Sequence, residues 1–295
     1  MFDNLGSPVK DDDQLGQYIP IHYHYQMLAD DVRMAGFKAA LDIVVPEGGT
    51  VLELGSGTGA ISFFAAQKAA RVYSVERLPE LVEHAKALVE HNSFQDKVEF
   101  IQADALTYLP PEPVDVVICE MLHAALLREK QLEIIQSFKT RYCEKFGDKM
   151  PVFVPFATVL SVEPVCADFS FHGFQAPVCL FEPPNLPSAR SRTLGEAKPY
   201  CVVDYQDDFA LALAVQEPLD IEADGTFNAL RFTTKNLLSV APKLGGSINW
   251  NNQNLIIPLK NPVQVNADET FQVSFDYPAG APIRTLQNSI EVVKV

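Results

Sequence analysis

Two periodicities divide the chain near Pro151. Before it, short apolar runs alternate with segments of helical spacing. "TVLELG", "ARVYSVE", "KVEFIQAD" and "VDVVICE" have the length and β-branched content of buried strands. Between the second and third lies "LPELVEHAKALVEHN". There Leu81, Val82, Ala85, Leu88 and Val89 share one helical face, Pro79 suits a first turn, and Asn92 suits a stop. "QMLADDVRMAGFKAALDIV" has helical spacing through Met27, Met34, Phe37, Leu41 and Val44, and so does "LLREKQLEIIQSF". Alternating strands and helices predict an α/β fold of Rossmann-like form, a predominantly parallel sheet covered on both faces.

Beyond Pro151 strand signals come in quick succession: "PVFVPFATVLSVEPV", "YCVVDY", "FALALAV", "LRFTTKNLL", "NLIIPL", "ETFQVSFDY" and "IEVVKV". "ADGT" and "LGGS" read as turns between them, and "FEPPNLPSARSRTLGE" reads as a loop. This half predicts an all-β, barrel-like domain. The expected organisation is a ligand-binding Rossmann-like domain with an N-terminal helical cap over residues 1–150 and a β-barrel-like domain over 151–295.

Composition excludes several classes. Apolar residues make up 47% of the 295, which suits a globular chain. No run of 18 apolar residues suggests a membrane span. "MFDNLGSPVKDDD" has neither the basic nor the apolar region of a secretory signal. The five cysteines follow no disulfide or metal spacing, so no metal is expected and a reduced, cytoplasmic setting is. The net charge of −15 is spread over both halves, gives solubility, and disfavours nucleic acid and attracts cations.

The first strand runs into "ELGSGTGA", with Gly55, Gly57 and Gly59 on alternate positions after Glu53. Such a turn puts bare backbone at the carboxyl edge of a parallel sheet, where these folds bind ligands. Gly55, Gly57 and Ala60 satisfy the loose dinucleotide fingerprint, and Glu76 ends the next strand as a ribose-binding acid would. Three acids favour S-adenosylmethionine instead. Glu53 suits the donor's ammonium and sulfonium and would repel a pyrophosphate. Asp104 ends the third strand, placed for an adenine amine, and Glu120 ends the fourth at the same edge.

From about Tyr18 onward the chain resembles the protein arginine methyltransferases, class I enzymes with a C-terminal β-barrel. "HYQMLADDVR" is similar to their H-x-x-M-L-x-D-x-x-R segment through His24, Met27, Leu28, Asp30 and Arg33. "ELGSGTG" resembles their donor loop, Glu76 their ribose acid, and "SINW" (247–250) their T-H-W loop. Glu120 and Glu129 have the spacing of their two catalytic glutamates. The resemblance implies that Arg33 grips the donor's carboxylate and that Tyr18 covers the donor. Met27, Ser56, Arg77 and Ala105 complete the expected donor set with Glu53, Gly55, Gly57, Gly59, Glu76, Asp104 and Glu120. The chain departs from the family at Asn249, where histidine is usual, and at Gln14 and Leu15, which replace aromatics. It departs again at "MLHAALLR" between the glutamates, and at Leu106, which leaves Asp104 to meet the adenine. The family's dimers imply a homodimer, for which only "FQAPVCLFEPPNLPSARS" could supply an arm.

A guanidinium acceptor explains why two glutamates are needed. It is cationic and must approach a cationic sulfonium. At about 4 Å and an effective dielectric of about 20 the repulsion is roughly 4 kcal/mol. Glu120 can hold and orient the guanidinium while Glu129 shares its charge and accepts the proton. The expected activity is therefore N-methylation of a guanidino group on a cationic peptide, a protein or free arginine, leaving S-adenosylhomocysteine. Two alternatives stay open. His123 could be the base for a small amine or hydroxyl acceptor, or a packing histidine. The fold could also be a non-catalytic binding module. Glu129 could equally lie on a solvated helix face, and Trp250 could be barrel core or pocket wall.

Overall fold

The computed structural model describes residues 19–184, 190–241 and 246–295. Tyr18 and the centre of the loop-like segment, residues 185–189, lie outside them. Two short helices open the described chain, α1 (Ile21–Leu28) and α2 (Asp31–Val44). The spacing predicts one continuous helix over most of this stretch. It breaks because the Asp30 carboxylate caps α2, accepting from the Arg33 backbone N–H at 2.9 Å.

The parallel layer follows in chain order: β1 (Thr50–Leu54), α3 (Ala60–Ala65), β2 (Arg71–Glu76), α4 (Pro79–His91), β3 (Val98–Gln102), β4 (Val116–Cys119), α5 (Gln131–Phe146) and β5 (Val152–Val154). The strands lie side by side as β3-β2-β1-β4-β5, all parallel. Helices cover both faces of the central strands, and their apolar residues Val51, Leu52, Leu54, Val116, Val117 and Ile118 are all buried. β5 comes after Pro151 yet pairs with β4, so the parallel layer extends to Val154. The order in which strands are added reverses between β1 and β4, which opens a crevice at the carboxyl ends of the strands.

The remainder is antiparallel: β6 (Ala157–Ala167), the small hairpin β7 (Ser170–Phe171) and β8 (Phe174–Gln175), β9 (Leu180–Glu182), β10 (Ser191–Thr193), β11 (Lys198–Asp204), β12 (Ala212–Asp220), β13 (Gly225–Ala241), β14 (Gly246–Asn251), β15 (Asn254–Val265) and β16 (Thr270–Pro278). A short helix, α6 (Ile283–Ser289), precedes the last strand, β17 (Glu291–Lys294). β13 is the spine. It pairs with β6 from Ala229 to Leu237, with β15 over its first half and with β14 over its second. A second sheet, β12-β16-β17, faces this one. Edge-to-face aromatic pairs fill the space between, Phe227 on Phe271 at 5.7 Å and Phe232 on Phe275 at 5.3 Å. The result is the barrel-like β domain the spacing predicts.

Gly59 shows how tightly the donor-loop turn is built. Its φ is +77°, and a Cβ there would lie 2.8 Å from the ring of Phe100 on β3. Gly59→Ala should therefore lower stability by about 1–3 kcal/mol, from left-handed strain and overpacking together. Denaturant titration measures this, and an unchanged midpoint would contradict it.

Candidate active site

One crevice of about 860 Å³ runs along the carboxyl edge of the parallel sheet to the β domain. Met27, Arg33, Glu53, Gly55, Ser56, Gly57, Glu76, Arg77, Asp104, Ala105, Glu120, His123 and Glu129 all line it. Thirteen of the expected site residues are thus brought together. Gly59 is not among the lining residues; it serves the packing just described. Its neighbour Gly57 (φ +54°) does face the crevice, and a Cβ there would strike the His24 ring at 2.6 Å. His24, on α1, is buried with Nε2 unpartnered, and burial lowers its pKa.

The turn after β1 is tied to β2. The backbone N–H groups of Gly55 and Ser56 both donate to the Val75 carbonyl at 2.9 Å. Glu76 faces back across the turn. Its Oε2 accepts from the Gly57 N–H at 3.0 Å and its Oε1 from the Leu78 N–H at 2.9 Å. That locks the carboxylate at the crevice wall with lone pairs still available for a diol.

Glu53 is 2% exposed and its carboxylate meets the Ser62 hydroxyl, which also donates to Ser74 at 3.0 Å. Burial pushes its pKa up to about 8. A hydroxyl has one proton, so a protonated Glu53 donating to Ser62 satisfies this chain best. Burial thus weakens the electrostatic reason for excluding a pyrophosphate, because it disfavours the ionised carboxylate. An ammonium in the crevice would favour its ionised form.

Arg33 and Glu120 form an ion pair, with side chains 9% and 13% exposed. The guanidinium lies 5.5 Å from the Phe37 ring centroid and 5.8 Å from that of Trp250. Trp250 Nε1 donates to Asp30 Oδ2 at 3.1 Å, so the carboxylate that caps α2 also anchors β14. Trp250 is thereby both core and pocket wall. Buried Gln131, at the start of α5, holds the peptide groups flanking Glu120. Its Nε2 donates to the Cys119 carbonyl at 2.6 Å and its Oε1 accepts from the Met121 N–H at 2.8 Å. A lone glutamine opening a helix carries no sequence signal for that role.

Arg128 and Glu129 precede α5, so they are not on a solvated helix face. Glu129 looks into the crevice, and burial followed by the Glu120 charge pushes its pKa up to about 8. Between the glutamates the backbone is contorted: Ala125, Leu126 and Arg128 have φ of 56°, 54° and 62°. The β domain clamps this run. Thr234 Oγ1 accepts from the Ala125 N–H at 2.7 Å, the Tyr277 hydroxyl donates to the Ala125 carbonyl at 3.0 Å, and Asn252 Nδ2 donates to the Leu122 carbonyl at 2.8 Å. His123 stands edge-on to Phe181 at 5.6 Å. Burial, then the Arg128 charge, lowers its pKa to about 4.

These residues fit a sulfonium nucleoside: neutral or anionic oxygens, a diol-facing carboxylate and a cation for a carboxylate end. Among the described residues no group of three metal-ligating side chains occurs, and no helix is long and apolar enough to cross a membrane.

Residues 46–142 match the family model of a methyltransferase domain. The chain is a class I S-adenosylmethionine-dependent methyltransferase. Its relatives include protein arginine methyltransferases. It is 36% identical to protein arginine N-methyltransferase PRMT10 of Arabidopsis thaliana over 45% of this chain and 36% of that protein. An uncharacterized protein of Methanocaldococcus jannaschii is 27% identical over 90% of this chain and 95% of its own. The chain also superposes on a Trypanosoma brucei PRMT1 enzyme–prozyme heterotetrameric complex with AdoHcy at a TM-score of 0.73 and 17% identity, covering 94% of this chain and 98% of that one. That likeness extends the shared fold through the β domain.

Two outcomes follow from the buried groups. Glu53 holds its proton in the folded state and loses it when unfolded, between 4.5 and about 8. Its contribution to stability is fully present below the lower value and is lost as pH rises through the upper one. Thermal melts of Glu53→Gln should therefore lose less stability from pH 5 to 9 than the parent; parallel curves would contradict this. Thr234→Val leaves the buried Ala125 N–H unpaired and should cost about 1–3 kcal/mol in denaturant titration, with no loss telling against the clamp.

Proposed function

We propose that this methyltransferase acts on a guanidino nitrogen of the arginine type, with Glu120 and Glu129 as its acceptor-binding pair. The observation that carries this reading is that both carboxylates line one crevice, where the Glu120 charge adds to burial in raising the Glu129 pKa. An idle pair of this kind would be costly to keep there.

Held at the ends of β1 and β2, the donor would supply a methyl on a sulfonium, the S–C electron pair leaving with sulfur as S-adenosylhomocysteine. Glu76 would hold the ribose hydroxyls, Asp104 and Ala105 the adenine, and Ser56, Gly55 and Gly57 would allow close backbone approach. Met27 and Arg77 close the sides. Arg33, already beside Glu120, reaches the donor's carboxylate and keeps Glu120 oriented. Glu120 grips the guanidinium, which biases the lone pair onto the attacking nitrogen. Glu129 neutralises the remaining charge and takes the N–H proton; a pKa near 8 suits that task. The Rossmann-like layer supplies the donor side and the β domain the acceptor side.

His123 as the base for a neutral amine or hydroxyl is the second reading. Its Nδ1 lies 3.2 Å from the Ala124 carbonyl, to which it donates, leaving the Nε2 lone pair available. A pKa near 4 makes it a weak base at neutral pH.

Radiolabelled methyl transfer to arginine, arginine peptides, simple amines and phenols tests the choice. Guanidino acceptors should be labelled. Glu129→Gln should lose about 100-fold or more in kcat/KM, as for a lost transition-state partner. For the parent enzyme kcat/KM should climb about tenfold per pH unit up to about 8, where Glu129 becomes ionised, and this limb should vanish in Glu129→Gln. Labelled phenols with near-parental activity in Glu129→Gln would overturn the reading in favour of His123.

A further inference from the structure

Arg128 is a cation in the acceptor half of a crevice built for a cationic acceptor. It lines the same crevice as Glu129 and immediately precedes it, their Cα atoms about 3.8 Å apart. Its backbone is held left-handed (φ 62°), with its N–H donating to the Ala281 carbonyl at 2.9 Å. The fold thus fixes where this side chain starts. Among the described residues no carboxylate lies within ion-pair distance of its guanidinium, whereas Arg33 has Glu120 and Lys130 has Glu133. Its charge is felt by both His123 and Glu129.

A second group in the same half lacks a partner. Asn251, at the end of β14, lines the crevice with its buried Oδ1 unpaired. An unpaired buried acceptor is costly unless a ligand N–H meets it. Phe181 on β9 and the ring of Trp250 border this region.

A bare guanidinium between Glu120 and Glu129 would meet repulsion from Arg128. An acceptor with its own carboxylate reverses that sign, because Arg128 can take a carboxylate through a bidentate pair. Resting on the guanidino reading above, we propose that the acceptor is an arginine bearing a free α-carboxylate. The glutamates hold its side chain, Arg128 holds its carboxylate, and Asn251 Oδ1 accepts from its α-nitrogen. Free arginine and the C-terminal arginine of a peptide share this chemistry. An arginine inside a peptide lacks the carboxylate.

The test is methyl transfer from labelled S-adenosylmethionine by the full chain. Its acceptors are free L-arginine, a short peptide ending in arginine, the same peptide amidated, and agmatine, which is arginine without its carboxylate. Free arginine, the acid-ended peptide or both should exceed agmatine and the amide by about 100-fold or more in kcat/KM; which of the two is preferred identifies the source. In Arg128→Glu the order should reverse, with agmatine favoured over arginine. A calorimetric titration of arginine and agmatine into the parent protein with S-adenosylhomocysteine gives the same comparison without relying on the variant. Equal or better use of agmatine and the amide overturns the carboxylate site while leaving the guanidino reading intact. Labelling of amines or phenols alone, or labelling of no guanidino acceptor at all, overturns both.

Discussion

The ion pair between Arg33 and Glu120 joins three parts of the molecule. Arg33 comes from the N-terminal helices, Glu120 from the carboxyl end of β4, and the Trp250 ring beside the guanidinium from the β domain. Breaking one partner of so buried a pair costs about 3–5 kcal/mol, chiefly because the other charge is left stranded. The pair therefore fixes the cap over the sheet edge and holds Glu120 at the crevice. Asp30 extends the same junction, capping α2 with one oxygen and holding Trp250 with the other. The pair also gives the unliganded site an electrically satisfied state, with each charge ready to meet a ligand's opposite charge.

The second constraint is the run between the glutamates. Three left-handed non-glycine residues in four positions are unfavourable in isolation. They persist because Thr234, Tyr277 and Asn252 satisfy the backbone groups they turn inward. The β domain is thus more than a neighbouring wall. Its spine strand, through Thr234, holds the backbone that leads to Glu129.

Much of this was legible in the sequence. Alternating apolar runs and helical faces gave the parallel layer, because strands buried on both sides leave an unambiguous apolar signature. Acids at the ends of β1, β2 and β4 marked the crevice, because sheet topology gathers strand ends. What stayed hidden depended on long-range contacts. The break at Asp30 needed its capping role, and the placement of Gln131 and Asn252 depended on partners far away in sequence. "LLREKQLEIIQSF" has helical spacing, yet the helix begins only at Gln131, since the preceding residues are drawn into the clamped loop. The raised pKa of Glu53 could not be read without its burial. Gly59, expected in the ligand cradle, is not among the crevice-lining residues and packs against Phe100.

A crystal structure of the protein with S-adenosylhomocysteine and arginine tests the central claim most directly. The account predicts a guanidinium within about 3 Å of carboxylate oxygens of both Glu120 and Glu129, with its nitrogen facing the sulfur across the missing methyl. A guanidinium bound elsewhere, or a thioether sulfur turned away from these two carboxylates, would contradict it.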